Sequence, residues 1–222
     1  MKPPIVFFDC DGVLVNDPLW PKLHTAIGLS EELDLQWFNQ YYSGEITNEQ
    51  WVNNLTDFYR KQKLSKKLFN EIIGEPKIEI QAWEIIQYLK DNKILTAIIS
   101  SGIDKYVERV AKNLGTDYWR ANATFHFDRN DLFTNFSYLT DDSTTKVIQV
   151  EEICRKLNIK PTATLFVGDS DNDLGAFKLT QHGILYRGKK EDHKILAWKT
   201  INNLMEIKDI IKVFYSNKEI PK

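Results

Sequence analysis

Short, uninterrupted apolar runs alternate along the chain with longer segments in which apolar residues recur every three or four positions. The uninterrupted runs lie at 5–8, 94–99, 164–167 and 184–186. Runs of this length, rich in branched and aromatic residues, predict strands that are buried on both faces. The periodic segments between them predict amphipathic helices. Strands and helices in this order predict an α/β fold, a three-layer open parallel sheet with helices on both faces.

Three of the amphipathic helices are defined by their apolar positions. The first precedes the strand at 94–99, the second follows that strand and ends at Gly115, and the third precedes the strand at 164–167. The apolar positions are, in order, Ile78, Ala82, Ile85, Ile86 and Leu89, then Ile103, Val107, Val110 and Leu114, then Val147, Val150, Cys154 and Leu157.

Residues 17–76 interrupt this alternation, because they contain several helical patterns and no good strand. Thr47 and Gln50 form a capping-box signature at the start of one of these helices. The block is too long for a simple crossover between strands. We therefore expect an inserted all-helical cap domain at 17–76, with residues 1–16 and 77–222 forming the α/β core.

A second interruption lies at 122–139. The runs ATFHF and NFSYL flank the polar turn DRNDLFT in this segment. This arrangement predicts a small β-hairpin inserted ahead of the third helix.

Composition narrows the class of protein. The 222 residues are 42% hydrophobic and 27% charged, which suits one domain with an insert. The net charge of −2 gives no reason to expect nucleic acid or an anionic membrane as partner. The first apolar stretch meets Asp9 too early for a signal peptide, and no run approaches the roughly 18–20 residues of a membrane helix. We expect a cytoplasmic protein in which Cys10 and Cys154 are reduced.

Polar and acidic residues directly follow three of the predicted strands. They are Asp9, Asp11 and Gly12 after the first, Ser100, Ser101 and Gly102 after the second, and Asp169, Asp171, Asn172 and Asp173 after the third. Ligands of an open parallel sheet bind where the strands' carboxyl ends emerge, so these residues should meet in one crevice.

Such a concentration of carboxylates predicts a cation. Two unit charges about 4 Å apart repel by roughly 4 kcal/mol at an effective dielectric near 20. All candidate ligands are oxygens, without a histidine or cysteine cluster, which favours Mg²⁺. Since Mg²⁺ commonly joins carboxylates to a substrate phosphate, the acids also indicate a phosphorylated substrate.

The spacing of Asp9 and Asp11 suggests how such a substrate could react. In an extended backbone their side chains project to one side and Cys10 projects to the other. One carboxylate could attack phosphorus while its neighbour handles protons. Lys146 could supply positive charge, and Ser100 with the amides of the following helix could hold phosphate oxygens.

Taken together and in order, DCDGV at 9–13, Ser100, Lys146 and GDSDND at 168–173 resemble the four motifs of the haloacid dehalogenase-like superfamily. The separation of Lys146 and Asp169 also lies in that family's usual range. The segments SSGIDKYVERVAKNLG, DYWRANATFHF and SGEITNEQWV resemble its phosphoserine phosphatase-like subgroup. The resemblance implies a Mg²⁺-dependent phosphatase that acts on a small phosphorylated metabolite, as a monomer or homodimer.

The resemblance also implies a role for each motif residue. Asp9 would be the nucleophile that forms an aspartyl-phosphate, and Asp11 the general acid and then the general base. The metal would be held by the Asp9 carboxylate, the Asp11 main-chain carbonyl and Asp169. The remaining site residues would be Ser100, Ser101, Gly102 and Lys146 for substrate binding, with Asn172 and Asp173 in support.

The cap departs from the subgroup's pattern. Serine-phosphate enzymes carry a cap arginine that grips the substrate carboxylate, but residues 51–56 are WVNNLT and the nearest arginine is Arg60. The acid expected early in the cap is also missing, unless Asp17 replaces it. We interpret the cap's aromatic residues as its own small core. These are Trp20, Trp37, Phe38, Trp51 and Tyr59.

Two alternative functions remain open at this point. The stretch DCDGVLV also resembles sugar-phosphate mutases of the same superfamily, which transfer phosphate instead of releasing it. A haloacid dehalogenase-like domain kept only for binding is the other alternative. The presence of both Asp9 and Asp11 favours catalysis, because a binding module does not need both acids.

Overall fold

The computed structural model describes residues 4–188 and 190–216, and this part of the chain holds seven strands and ten α-helices. The strands are β1 (Ile5–Phe8), β2 (Leu95–Ile103), β3 (Tyr118–Phe127), β4 (Phe133–Tyr138), β5 (Leu165–Gly168), β6 (Gly183–Tyr186) and β7 (Lys199–Ile201). The helices are α1 (Leu19–Ala26), α2 (Glu31–Tyr42), α3 (Asn48–Lys61), α4 (Lys66–Ile73), α5 (Ile80–Asp91), α6 (Asp104–Leu114), α7 (Asp142–Lys156), α8 (Leu174–Thr180), α9 (Glu191–Leu196) and α10 (Ile207–Ser216).

All seven strands form one sheet in the order β4-β3-β2-β1-β5-β6-β7. Every neighbouring pair is parallel except β3 and β4, which run antiparallel at one edge. Apolar residues of α5, α6 and α10 share one core with Val6 and Phe8 of β1. Those of α7 and α8 pack with Ile5 and Phe7 on the opposite face. The prediction of a three-layer open parallel α/β sheet is confirmed.

The hairpin occurs where it was predicted, but it is not separate from the main sheet. β3 begins at Tyr118, ahead of the predicted segment, and its first residues pair in parallel with β2. Only its later residues pair with β4. The first four residues of β3 are half-buried and show no apolar alternation, so no local pattern indicated this pairing. The short β7 was missed for a similar reason, because two of its three residues are exposed.

Residues 17–76, all within the described part, contain α1 to α4 and no strand. The predicted capping box is present at the start of α3. The Thr47 hydroxyl oxygen accepts the backbone N–H of Gln50 at 3.1 Å, and the Gln50 side-chain oxygen accepts the backbone N–H of Thr47 at 2.8 Å. The predicted core segments, 1–16 and 77–222, extend at both ends beyond the described residues.

The helices α1, α3 and α4 pack on the β3–β4 hairpin. The ring of Tyr59 in α3 lies 5.3 to 6.1 Å from three phenylalanines of the hairpin, which are Phe125, Phe133 and Phe136. The backbone N–H of Phe133 donates to the carbonyl of Leu64 at 2.9 Å. The hairpin therefore joins the helical segment to the edge of the sheet. None of the helices in residues 4–188 and 190–216 has the length and apolarity that a bilayer span requires.

Candidate active site

The carboxyl ends of β1, β2 and β5 lie side by side, as the parallel sheet requires. Phe8, the last residue of β1, pairs with Ile98 of β2 and Val167 of β5. Asp9 directly follows Phe8 and Asp169 lies two residues after Val167, so both acids emerge at the same edge of the sheet. The neighbouring Ser100–Ser101–Gly102 segment belongs to the final part of β2.

Lys146 of α7 reaches this edge and is completely buried there. Its ammonium nitrogen lies 2.9 Å from Oδ1 of Asp9 and 2.7 Å from Oδ1 of Asp173. It also donates to Oδ1 of Asn172 at 3.0 Å. Burial alone would lower the pKa of Lys146, but Asp173 and Asp9 reverse this effect and leave the pKa raised. Lys146 therefore stays charged and offsets part of the negative charge of the site.

The carboxylates of Asp9, Asp169 and Asp173 form one group, in which a ligand oxygen from each lies within 4.8 Å of the others. Oδ2 of Asp173 accepts the backbone N–H groups of Asp169 and Ser170 at 2.9 and 3.1 Å. These bonds fix Asp173 and shape the loop that carries Asp169. Such a group of oxygen donors is suited to a hard divalent cation.

Burial and neighbouring charges raise the pKa values of Asp9 and Asp169. The pKa of Asp9 lies well above its ordinary value, chiefly because of burial, although Lys146 opposes the shift. Burial and the charge of Asp173 raise the pKa of Asp169 to about 6. A bound cation would reverse this effect by favouring the ionised carboxylates.

Asp11 lies close to this group, but its carboxylate is not one of the three. After Asp9 the chain turns, and the carbonyl of Cys10 accepts the N–H groups of Leu14 and Val15 at 2.9 and 3.0 Å. The Cys10 side chain packs into the core with Val6 and Phe8, away from the acids. Oδ1 of Asp11 is buried and has no hydrogen-bond partner among the described residues. Burial raises the pKa of Asp11 to about 7, Lys146 opposes the rise, and Asp169 adds to it.

Gly12 allows the two strand ends to approach each other. Its φ is +81°, and a Cβ at this position would lie 2.3 Å from Oδ2 of Asp169. Any L side chain would therefore meet both backbone strain and a direct clash with an acid of the site.

The final residues of β2 lie close to Asp11, since a Cβ on Gly102 would lie 3.5 Å from Oδ2 of Asp11. The hydroxyl oxygen of Ser100 accepts the Gly102 N–H at 2.9 Å, which leaves the hydroxyl hydrogen to donate elsewhere. Ser101 accepts a bond from the Asn172 side-chain amide at 3.2 Å. Since Asn172 also accepts from Lys146, it connects the end of β2 and the loop after β5 to α7. The structure thus places the predicted site residues of all four motifs close together.

Asp171 faces away from this network. Its carboxylate bonds to Lys190 and, at 2.7 Å, to Nε2 of His193. It attaches the short helix α9 to the loop after β5. Asp171 therefore holds two elements of the core together and does not face the acidic group.

A cavity of about 640 Å³ opens from the site toward the helices of residues 17–76. Asp11, Ser101 and Asn172 lie at the end next to the strands. The rest of the wall includes Trp20, Phe38, Trp51 and Tyr138 as aromatic residues, and Glu31, Asp34 and Asp142 as acids. Trp51 and Tyr59 lie in the core and Trp20 and Trp37 pack against it, as interpreted, although Trp20 and Trp51 also line this cavity. Phe38 lines the cavity too but is 46% exposed and lies outside that core.

Tyr138 and Asp142 were not among the sequence candidates. Asp142 lies one helical turn before Lys146 on α7, so its spacing from Lys146 could have indicated that it faces the same way. Tyr138 ends β4, and its hydroxyl donates to Asp142. No sequence signal placed it near the site, because the hairpin's position against the helices was not predictable.

Comparison with known proteins agrees with this geometry. Residues 3–179 match the family model described as haloacid dehalogenase-like hydrolase. The chain belongs to this family. This is the family that the four sequence motifs indicate. The prediction of a phosphatase, similar to phosphoserine phosphatases, is confirmed.

The relatives of this haloacid dehalogenase-like hydrolase share much of its length. A phosphoserine phosphatase of Campylobacter jejuni subsp. doylei is 27% identical over 216 residues, covering 93% of this chain and 97% of the relative. One from Idiomarina loihiensis is 31% identical over 155 residues, covering 68% and 67%. The chain spans only 60% of the phosphoserine phosphatase of Archaeoglobus fulgidus, with 25% identity over 211 residues.

Solved structures show the same fold. A phospho-aspartyl intermediate analogue of phosphoserine phosphatase superimposes with a TM-score of 0.78 at 24% identity, covering 95% of this chain and 99% of the other. A substrate-bound phosphoserine phosphatase complex gives the same TM-score at 23% identity and the same coverage.

Proposed function

We propose that this protein is a Mg²⁺-dependent phosphatase that hydrolyses a small phosphorylated metabolite through an aspartyl-phosphate on Asp9. The observation that carries the proposal is the arrangement around Asp9. Its carboxylate is paired with the buried Lys146, grouped with Asp169 and Asp173, and close to the protonatable Asp11. This arrangement combines a nucleophile, a cation site and a proton carrier.

The residues present fit a magnesium ion. The donors are carboxylate oxygens in a buried group. Burial raises the pKa values of Asp9 and Asp169, and a bound cation would favour their ionised forms. The Asp9 carboxylate, the Asp11 main-chain carbonyl and Asp169 would hold the ion, with Asp173 in support. When bound, Mg²⁺ offsets the charge of the carboxylates and of the substrate phosphate.

Asp9 is the proposed nucleophile. Its Oδ1 accepts the Cys10 backbone N–H at 2.7 Å and lies 2.9 Å from Lys146, so the carboxylate has a fixed orientation. A carboxylate oxygen of Asp9 attacks phosphorus, and the bond from phosphorus to the ester oxygen breaks. Burial raises the pKa of Asp9, and the positive charge of Lys146 opposes this rise and so favours the ionised form that the attack needs.

Asp11 is the proposed acid and base. As a carboxylic acid it donates its proton to the departing ester oxygen. As a carboxylate it then removes a proton from the water that attacks the aspartyl-phosphate, which releases phosphate and restores Asp9. A pKa of about 7 allows both protonation states near neutral pH, as this double role requires.

Ser100, Ser101, Gly102 and Lys146 are proposed to bind the phosphoryl group. The Ser100 hydroxyl can donate to a phosphate oxygen, because it accepts rather than donates in its bond with Gly102. Lys146 adds a positive charge on the side of α7. Asn172 and Asp173 support the site by holding Lys146 and the loop after β5.

We further propose that residues 17–76 act as a cap domain on a core of 1–16 and 77–222. The support is that three helices of this segment, α1 to α3, line the cavity at the strand ends. The free, buried thiols of Cys10 and Cys154 agree with a reducing, cytoplasmic environment. We expect a monomer or homodimer that needs no nucleic acid and no membrane.

The test is hydrolysis of p-nitrophenyl phosphate with Mg²⁺, comparing the native protein with Asp9→Asn. The native protein should release nitrophenol and inorganic phosphate, whereas Asp9→Asn should be inactive with an unchanged far-UV spectrum. Asp91→Asn, an exposed acid of α5, is the matched control and should keep full activity. A native rate in Asp9→Asn would refute the nucleophile. Transfer of phosphate within a sugar phosphate, without release, would indicate the mutase alternative instead.

A further inference from the structure

We propose that the organic part of the substrate carries a positively charged nitrogen and no carboxylate, so that the substrate is a phosphate monoester of an amino alcohol. This inference rests on the proposed phosphatase function and specifies the class of its substrate. It follows from the aromatic surfaces, the charges and the position of the cavity above the strand ends.

The cavity has an aromatic wall centred on Trp51. The ring of Trp51 stacks on Tyr41 at a centroid distance of 5.4 Å, meets Tyr138 edge-on at 5.4 Å, and lies 6.3 Å from Trp20. The indole N–H of Trp20 donates to the Ser101 carbonyl at 3.4 Å, which positions this ring beside the phosphate-binding residues. Electron-rich ring faces of this kind attract ammonium groups.

The same wall carries negative charge. Glu31, Asp34 and Asp142 line the cavity, and no lysine or arginine is found among its lining residues in the described part of the chain. Tyr41 is next to this charge. Its pKa is raised to about 12, first by burial and then by Asp142 and Asp141.

The acids keep oxygen atoms available for a ligand. Oδ1 of Asp142 accepts from the Tyr138 hydroxyl and from the Asn122 amide at 3.0 Å, and Oδ2 has no such bond to a described residue. Asp34 uses Oδ2 for His24, at 2.7 Å. His24 has both ring nitrogens engaged, with Asp34 and the Tyr59 hydroxyl, so any charge that it carries is paired within the wall.

No lysine or arginine of residues 17–76 lines the cavity, so the cap places no cation there that could bind a substrate carboxylate. Arg60, the nearest arginine to the position that grips the carboxylate in serine-phosphate enzymes, points toward the hairpin. Its Nε donates to the Thr134 carbonyl at 2.6 Å, and its guanidinium pairs with Asp57 at 3.5 Å. Neither Arg60 nor any other arginine in residues 4–188 and 190–216 lines the cavity.

The position of the cavity determines which part of the substrate meets this wall. A phosphate held near Asp11, Ser101 and Asn172 leaves the ester's organic part among the aromatic rings and acids. A carboxylate there would meet like charges without a compensating cation, whereas an ammonium group would gain both ionic and cation–π attraction. The wall therefore selects for a cationic organic group and against phosphoserine.

The test compares kcat/KM for four esters. Phosphocholine and phosphoethanolamine carry a cationic nitrogen, 3,3-dimethylbutyl phosphate is the neutral isostere of phosphocholine, and phosphoserine adds a carboxylate. We expect each cationic ester to exceed the isostere and phosphoserine by about tenfold or more. Equal or better use of phosphoserine or of the neutral isostere would overturn the inference.

Asp142→Asn tests the wall itself, because it removes charge and keeps the side chain's shape. The ratio of kcat/KM for phosphocholine to that for the neutral isostere should fall by about fivefold or more in this variant. Asp57→Asn is the matched control, since Asp57 is an exposed cap acid outside the cavity, and its ratio should equal that of the native protein. An unchanged ratio in Asp142→Asn would contradict the role of the wall.

Two further measurements separate this inference from the proposed function. Hydrolysis of p-nitrophenyl phosphate reports on the phosphatase chemistry without an amino alcohol. Calorimetric titration of the Asp9→Asn protein with the same four esters, in Mg²⁺, reports on the wall without turnover. Preferential binding of the cationic esters would support the inference even if hydrolysis failed, and equal binding of all four would overturn it even if hydrolysis succeeded.

Discussion

Lys146 and Asp9 form a 2.9 Å ion pair in which the lysine is completely buried and the aspartate nearly so. The two residues come from α7 and from the end of β1, on either side of the whole helical segment. Because Lys146 also pairs with Asp173, a single ammonium group compensates two buried carboxylates. This pair therefore supports both the fold and the proposed nucleophile.

Replacing Lys146 with Met should abolish turnover and lower the free energy of unfolding by about 3–5 kcal/mol, since Asp9 and Asp173 would be left buried without a cation. Urea denaturation at pH 8 without Mg²⁺ measures the loss. It should be smaller at pH 5, where the carboxyls can take up protons. Lys105→Met is the control, because its 3.4 Å pair with Glu108 is exposed and is expected to contribute less than about 1 kcal/mol. Similar losses in both variants would contradict the prediction.

Gly12→Ala should reduce turnover by about 100-fold or more, because its Cβ would push Asp169 out of the acidic group. Gly44→Ala separates this clash from backbone strain. Gly44 has a φ of +78°, close to the +81° of Gly12, but a Cβ there meets nothing within 4 Å. The control should lose about 1 kcal/mol of stability and keep its activity. Steady-state rates and thermal melting measure the activity and stability of both variants. Equal activity of Gly12→Ala and Gly44→Ala would show that the close contact of Gly12 with Asp169 is not needed for turnover.

The stabilisation given by Mg²⁺ should grow between pH 5 and pH 8. In the folded protein without metal, Asp169 and Asp11 have pKa values of about 6 and 7, above those of an unfolded chain. The folded state therefore binds extra protons, and this contribution to stability is lost as pH rises through these values. Added Mg²⁺ should replace the protons and raise Tm more at pH 8 than at pH 5. Asp169→Asn should weaken the effect, and a Tm shift that is independent of pH would exclude metal binding at these acids. Chelation with EDTA should stop turnover of the native protein.

Asp11→Asn should slow hydrolysis of an alkyl phosphate by about 10²- to 10⁴-fold, because the leaving oxygen then lacks a proton donor. With p-nitrophenyl phosphate, whose leaving group needs little help, a burst of about one nitrophenol per enzyme should persist before turnover stalls. Stopped-flow absorbance measures this burst, and Asp9→Asn is the control without one. The Mg²⁺-induced rise in Tm should be retained, since the Asp11 carboxylate is outside the acidic group. Loss of the burst together with slow turnover would assign Asp11 to the first step alone.

The sheet and the site edge were predictable because buried strands have a strong local signature. Phe7 and Phe8 lead directly into Asp9, and Val167 leads to Gly168 and Asp169. In a parallel sheet these strand ends must lie together, so order along the chain was sufficient to expect the acids in one place. The contacts of Lys146 were less predictable from the sequence, because they depend on how α7 packs against the sheet.

The cavity wall was not predictable from these signals. Trp51 has the helical spacing of a core residue, and it is indeed almost fully buried. Its neighbours Tyr41 and Tyr138 come from a different helix and from the hairpin, so their meeting depends on tertiary packing. Similarly, Arg60 could have faced the cavity or the hairpin, and only its bond to Thr134 shows which.

The packing of Tyr59 against Phe125, Phe133 and Phe136 has a consequence for protein engineering. Specificity in such an enzyme would ordinarily be exchanged by transplanting the helical segment 17–76 from a relative. Here the hairpin presents its aromatic side chains to that segment and also contributes Tyr138 to the cavity. A chimera that exchanges the helices alone would create a mismatched apolar interface. The helical segment 17–76 and the β3–β4 hairpin would therefore have to be exchanged together.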